Sequence, residues 1–471
     1  MNKFWKPYKP SEQMPWNLPR VWMLHRRAGF GANWQQLRRD LKDGHQEAVS
    51  RILKGQSREQ VEVGFEDTSK FLLKQAVKSG QVSRLSAWWI LRMYLGPDPF
   101  AERRTLMWHN HFATSNATIR SLFRMYRQNQ IFREHGNGKF APFLEKTIKD
   151  PAMLLWLNAN DNRNTHPNEN LSRELMELFT LGIGNYTEKD VKEAARALAG
   201  WTTSDQIMAQ QMDPFSDDYE DRMKIEMSWR DSFFKTILGK TGILYGDDLL
   251  KIVSEHPATS KRLAWRVCDE LFGEEVVSEE ALAELAAGLR KNGLDMNWAF
   301  ETVLKSELFF ANSNLKSRIA PPETYVLGCL IALNTQQRPA STLALANIFS
   351  ALGRSLFEPP NVGGWDGGRL WLNARTMVAR SNFVHGVVSN GLNRNALPPN
   401  FDEIVDSFEE NKSVESVVGQ LGELLLGLDR ESKDDQAMIA AVCKEIEKQP
   451  AKTKWAQAAR LMLNSNSAQL C

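Results

Sequence analysis

Two histidines stand two residues apart in Met107-Trp108-His109-Asn110-His111-Phe112, in a chain that holds eight. An imidazole can move a proton near neutral pH or bind a divalent metal, so a close pair is a candidate centre for either chemistry. On a helix, however, a spacing of two turns the side chains about 200° apart, and one face cannot present both. They converge only where the helix ends, and Thr114, Ser115 and Asn116 directly after favour an ending. A metal needs a third and a fourth ligand. Glu174 is the first choice, with Glu169 and His166 as others, which makes His109, His111 and Glu174 the candidate metal set. No diagnostic ligand spacing such as H-E-x-x-H occurs. The competing reading is one buried hydrogen-bonding imidazole and one helix cap.

The second stretch with chemical content is Asn168-Glu169-Asn170-Leu171-Ser172-Arg173-Glu174-Leu175-Met176-Glu177-Leu178-Phe179-Thr180-Leu181-Gly182. At 100° per residue Glu169, Arg173 and Glu177 fall in line, with Asn170 and Glu174 beside them. Leu171, Leu175, Leu178 and Phe179 take the other side. Pro167 suits a first turn, and Gly182 and Gly184 suit a helix stop. One reading is a solvated face with i,i+4 pairs worth roughly 0.2–0.5 kcal/mol each. The other is a cleft-lining row in which Arg173 keeps the carboxylates ionised and oriented. On that reading His109, His111, Glu169, Arg173 and Glu174 form the catalytic set, and Asn110, Asn168 and Asn170 face the substrate.

Further candidates lie elsewhere. His25 and Arg27, ahead of a glycine turn, would bind an anion or else pack between helices. Arg196 would contact substrate or pair with an acid such as Glu193. Trp201, after Gly200, reads as a hydrophobic latch or a substrate contact. His256 before Pro257 reads as a helix cap, and Lys261, Arg262 and Arg266 give the helix behind it a basic side. The loop Pro359-Pro360-Asn361-Val362-Gly363-Gly364-Trp365-Asp366-Gly367-Gly368 offers Asn361 and Trp365. Indole faces with Asn or Asp groups suit sugar recognition, and the same mix suits a tight structural turn.

These residues need helices to position them. Apolar spacing predicts helices over 34–42, 46–53, 69–95, 101–109, 117–134, 140–149, 188–199, 257–272, 278–291, 297–307, 321–334, 340–353 and 371–383, and over much of 401–463. Asp150-Pro151 and the Thr187/Asp190 pair are start signals. Strand signals are rare, and 202–232 reads as an excursion or short hairpin. The expected class is all-α: a single large multi-helix domain with long loops and at most a minor hairpin. Residues 1–15 form an extended arm, 16–400 the main helical domain, and 401–471 its C-terminal helical part.

Composition bounds the function. A net charge of +2 with 25% charged residues leaves no electrostatic footprint for nucleic acid. Hydrophobic content of 42% over 471 residues fits a globular chain. Four scattered cysteines without a C-x-x-C pair point to reduced thiols and a cytoplasmic setting. No signal-like apolar run opens the chain, and no stretch of about 18 apolar residues predicts a membrane span.

Taken in order, the strings H-R-R-A-G-F-G-A, W-H-N-H-F-A-T-S, K-D-P-A-M-L, P-N-E-N-L-S-R-E-L-M-E-L-F-T-L-G, Y-T-E-K-D-V-K-E-A-A-R-A-L-A-G-W, H-P-A-T-S-K-R-L-A and P-P-N-V-G-G-W-D-G-G closely resemble the DUF1800 family, from about Trp16 to the C-terminus. The resemblance implies a single, largely helical domain and brings no established activity. It also implies a partner, since members often accompany DUF1501 proteins, which look like the sulfatase and alkaline-phosphatase superfamily. Two departures stand out. Many members carry export signals, and none is evident here. The family often has a His-Asp pair before a lysine and L-G, where this chain has Trp229-Arg230-Asp231 before Lys235, Leu238 and Gly239. Arg230 stays protonated and cannot act as a base.

Two functions are therefore expected. The first is a hydrolase-like enzyme acting on a polar polymer such as a glycan through the His/Glu/Arg cluster, with or without a divalent metal. The alternative is a non-catalytic binding or assembly protein that docks a DUF1501-type partner, its histidines and acids forming a buried hydrogen-bond network.

Overall fold

Helices in this computed structural model begin where the sequence supplies caps. The structure describes residues 3–58, 64–204, 214–216, 221–337, 339–390, 392, 398–408 and 412–471. Asp98 and Asp150 accept from the backbone N–H of Ala101 and Ala152, each ahead of a proline at the first helical position. Thr187 and Asp190 close a reciprocal capping box, although Asp stands where Glu is usual. His256 accepts from Ala258 and caps the Pro257–Phe272 helix. Such caps contribute about 1 kcal/mol each.

The fold is all-α. Strands among the described residues form two small antiparallel pairs, Trp201–Thr203 with Met223–Ile225 and Lys235–Ile237 with Lys240–Gly242. The first pair realises the hairpin expected within 202–232; residues 205–213 and 217–220 of that stretch lie outside the described residues. Two expected helices are each divided, into Phe65–Ser79 and Val82–Leu95, and into Asn116–Ile119 and Leu122–His135.

Larger is the correction in the Asn168 stretch. An α-helix runs only over Asn170–Glu174, with Pro167 before it, and Leu175–Thr180 continues as a π-helix. Leu181 N–H donates to the Met176 carbonyl, the wider i→i+5 pattern. From Leu175 onward the 100° spacing no longer holds.

The Pro99–His111 helix runs through the core with most of its residues buried, charged ones included. Trp108 packs against Phe112, Phe140 and Phe143. Glu102 is satisfied by Arg92, Arg133 and the Trp89 indole N–H. Both chain ends reach this body. Trp5 donates to the Ala281 carbonyl, Tyr8 N–H to that of Lys305, and Arg318 and Cys471 bond backbone to backbone. No helix among the described residues is long and apolar enough to cross a membrane.

Candidate functional site

The His109-Asn110-His111 triplet sends its three side chains to three separate elements. His109 accepts the Phe357 N–H at 3.2 Å through Nε2 and is enclosed by the rings of Trp89, Phe357 and Trp365. Phe357 has φ of 66°, a left-handed conformation rare for a bulky residue, and its carbonyl accepts from Asn116 N–H. His109 thus helps pin a strained turn. Asn110 Oδ1 accepts the Trp365 N–H at 2.8 Å and docks the glycine-rich loop. His111 donates from Nε2 to the Phe179 carbonyl at 3.0 Å, inside the π-helix. Arg262 Nε donates to the adjacent Leu178 carbonyl at 3.1 Å, so two carbonyls at this helix end are satisfied by side chains.

Both imidazoles are neutral. Burial, then Arg354, lowers the His109 pKa to about 3, and burial, then Arg262 and Arg266, lowers that of His111 far below its ordinary value. Their partners fix opposite tautomers: His109 accepts at Nε2, and His111 donates from it.

The acid row lies apart from them. Arg173 pairs with Glu169 at 2.9 Å and Glu188 at 2.8 Å on an open surface. Glu177 accepts from the Tyr186 hydroxyl at 2.6 Å and stays near Glu174. Glu174 is half-buried; burial and then Glu177 raise its pKa while Arg173 lowers it. Asn168 Oδ1 accepts from Asn170 N–H, a turn contact. His111 therefore meets this stretch on its apolar side, at a carbonyl. Among the described residues no three His, Cys, Asp or Glu side chains gather as a metal set, so His109, His111 and Glu174 do not converge.

Other predicted residues hold the fold together. His25 pairs with buried Asp40 at 2.8 Å. Arg27 donates to the side chain and carbonyl of Asn314 and to the Leu271 carbonyl. Arg196 forks onto Asp231 and Glu193, and Arg230 stacks on Tyr245 at 3.8 Å. Trp201 is buried against Gly246, as a latch would be. Asn361 accepts from Gly363 N–H and shapes its own turn.

Two predicted residues, Asn110 and Trp365, line a cleft of about 420 Å³. Its walls are the end of the Pro257–Phe272 helix, the Ser317–Pro321 segment and the Gly363–Trp371 loop. Gly364, with φ of 88°, lies so close to Asn110 that an added Cβ would stand 2.3 Å from its Oδ1. Gly368, with φ of 54°, lies against Glu274 in the same way, 2.1 Å from its Oε2. Trp365 and Trp371 hold the Arg354 guanidinium between them, 4.9 Å from each ring. Trp265 is the indole turned to solvent, 38% exposed.

Charge is layered in this cleft. Arg354 lies 3.3 Å from Glu323; Arg318 and Arg103 each lie 3.5 Å from Glu270, and Arg266 lies 3.6 Å from it. Burial would raise the Glu270 pKa, and Arg318, Arg103, Arg266 and Arg354 overcome it and hold the carboxylate ionised. Asp366 and Glu274 are exposed at the mouth. There burial, then Asp269, Glu275 and Asp366, raises the Glu274 pKa.

Arg318, Arg354, Asp269, Glu270, Glu274 and Trp371 were absent from the sequence-based site. The one available signal was the basic side of the 257–272 helix, whose Arg266 does face acids, Asp269 and Glu270. A wider recess of about 810 Å³ lies beside Tyr325, Arg380 and His385. Its Arg380 is already bonded to Gln469 and the Ala320 carbonyl, and the recess is not walled by the motif strings. The smaller cleft takes residues from W-H-N-H-F and P-P-N-V-G-G-W-D-G-G together and is the better candidate.

No curated protein and no solved structure matches this sequence. The family model described as "Protein of unknown function (DUF1800)" matches residues 23–470, nearly the whole length. This protein therefore belongs to the DUF1800 family.

Proposed function

We propose that this protein is a hydrolase-like enzyme that binds a polar polymer of the glycan kind in the Gly363–Trp371 cleft. One observation carries the reading: a solvent-facing indole, carboxylates and guanidinium groups line a single recess of about 420 Å³. Saccharides stack an apolar sugar face on indole and exchange hydroxyl hydrogen bonds with charged side chains. The chemistry moves with the site. Glu274, whose pKa is raised, takes the general-acid role first considered for the His/Glu/Arg cluster, and Asp269 or Asp366 would activate water. No step requires a metal, and the buried imidazoles act through position alone.

Tryptophan fluorescence during titration with neutral and acidic oligosaccharides tests binding, and release of reducing ends tests turnover. Trp265→Ala should weaken binding at least about tenfold. Glu274→Gln should abolish turnover and leave binding intact. Unchanged turnover in Glu274→Gln would remove its catalytic role, and absence of any saccharide binding would remove the reading.

An assembly role, with a DUF1501-type partner, is favoured by a different observation: Met227, Phe233 and Phe234 are exposed on the segment around Arg230. Co-purification lost in a Met227→Ser, Phe233→Ser, Phe234→Ser variant that keeps saccharide binding would support that second reading.

A further inference from the structure

We propose that the floor of the cleft is an oxyanion subsite, in which Arg354 and Arg318, with Arg266 beside them, take a sulfate, phosphate or carboxylate group borne by the ligand. The inference rests on the saccharide reading of the cleft and sharpens it: the sugar is acidic.

Charge balance is the first ground. Four guanidinium groups, Arg103, Arg266, Arg318 and Arg354, pair with three carboxylates, Asp269, Glu270 and Glu323, and Glu274 and Cys471 act on Arg318 from farther off, so the guanidinium groups outnumber the carboxylates in direct contact with them. The second ground is unspent donors. Arg354 is 6% exposed, yet its Nε and Nη1 donate to no acceptor. Its Nε lies 3.3 Å from Glu323 Oε2 without the alignment of a hydrogen bond. Arg318 Nη1 also lacks an acceptor, and both residues line the cleft, with Arg266 beside them bonded through its terminal nitrogens to Asp269 and the Met107 carbonyl. Of the buried arginines elsewhere, Arg104 also leaves Nη1 unpaired, whereas two others do not. Arg27 and Arg380, like Arg266, leave only Nε unpaired and place both terminal nitrogens on oxygens.

Buried polar atoms in folded proteins nearly always have a partner, so several orphaned donors around one recess call for an acceptor. An oxyanion meets that need, because it brings lone pairs and the opposite charge to a planar guanidinium. The two indoles at 4.9 Å fix the plane of Arg354 before a ligand arrives. The mouth sets the selectivity. Arg266, Arg318, Arg354 and Arg369 are matched in number by Asp269, Glu270, Glu274 and Asp366 over the whole lining. The recess as a whole is balanced and its positive excess lies deep. It therefore fits a ligand with one acidic group among hydroxyls and disfavours a dense polyanion.

The test begins with the wild-type protein. Sodium sulfate and sodium phosphate are titrated against sodium chloride at matched ionic strength, with indole fluorescence and Tm as readouts. Sulfate or phosphate should give a saturable change that chloride does not. Arg354→Lys and Arg318→Lys should each weaken it about tenfold, since a lysine cannot fork onto an oxyanion. Should either variant fail to fold by circular dichroism, the wild-type salt comparison decides alone. Three oligosaccharides of equal length then separate the sources: sulfated, uronic and neutral. An acidic sugar should bind at least about tenfold tighter than the neutral one, with the preference lost in Arg354→Lys.

Saturable sulfate binding without any saccharide binding would keep the subsite and remove the saccharide reading. Equal affinity for neutral and acidic sugars, with no saturable effect of sulfate or phosphate, would overturn the subsite and leave the saccharide reading standing.

Discussion

At the scale of single residues, the two histidines are hydrogen-bonding struts. Removing His109 takes away the acceptor for Phe357 N–H, and removing His111 leaves the Phe179 carbonyl without its donor. Each loss adds a cavity among aromatic rings. His109→Ala and His111→Ala should each lose about 2–4 kcal/mol in urea unfolding. Two sets of groups also tilt stability with pH, in opposite directions. The histidines have folded pKa values below the unfolded one, near 6.5, so the stability that comes with their neutral form is present above that pH and is lost as pH falls toward 3. Asp150 is buried at a helix cap, and burial raises its pKa from 3.8 to about 7. The folded protein holds that proton while the unfolded chain releases it, so this contribution is full below about pH 4 and is lost as pH rises to about 7. Asp150→Asn keeps a cap and removes the slope. Its Tm should gain on the wild type as pH rises from 4 to 7, and parallel curves would refute the assignment.

At the scale of elements, the glycine-rich loop and the Pro99–His111 helix act as one unit. Asn110 holds Trp365, and Gly364 permits the approach. Gly364→Ala combines a positive φ with a Cβ 2.3 Å from Asn110 Oδ1. It should cost more than about 1 kcal/mol and displace Trp365, seen as a shift in tryptophan emission together with weaker ligand binding. The π-helix is the other decisive element. It carries Glu177, which bonds Tyr186, while Arg173 stays in an exposed pair. Arg173→Ala should therefore change stability by less than about 1 kcal/mol and leave ligand binding unchanged. A large loss of binding would restore the acid row as a site.

At the scale of the whole molecule, distant parts of the chain close on one body. The N-terminal arm places Trp5 and Tyr8 in the core, and Trp5 bonds Ala281. Trp5→Ala should lose about 3–5 kcal/mol, which urea unfolding would register. Trp5 packs edge-on against Phe272, one residue before Gly273, and does not itself line the recess, so its loss acts on stability first. On the proposed saccharide reading, the variant should bind oligosaccharide as the wild type does at temperatures where it remains folded.

The sequence by itself determined what neighbours along a chain can decide. Caps at Asp150, Thr187 and His256 and the apolar spacing between them specify helices, because those hydrogen bonds close within two or three residues. The motif strings carried the family, and two residues singled out in them, Asn110 and Trp365, line the candidate cleft. Tertiary structure decided the rest. An α-turn and a π-turn draw on the same residue types, so the turn at Leu175 left no mark in composition. Arg103, Arg266, Arg318 and Arg354 are scattered along the chain and are ordinary in their local context. Only packing shows that they share too few carboxylates in one place, since electrostatic excess depends on distance through the fold and on exclusion from water.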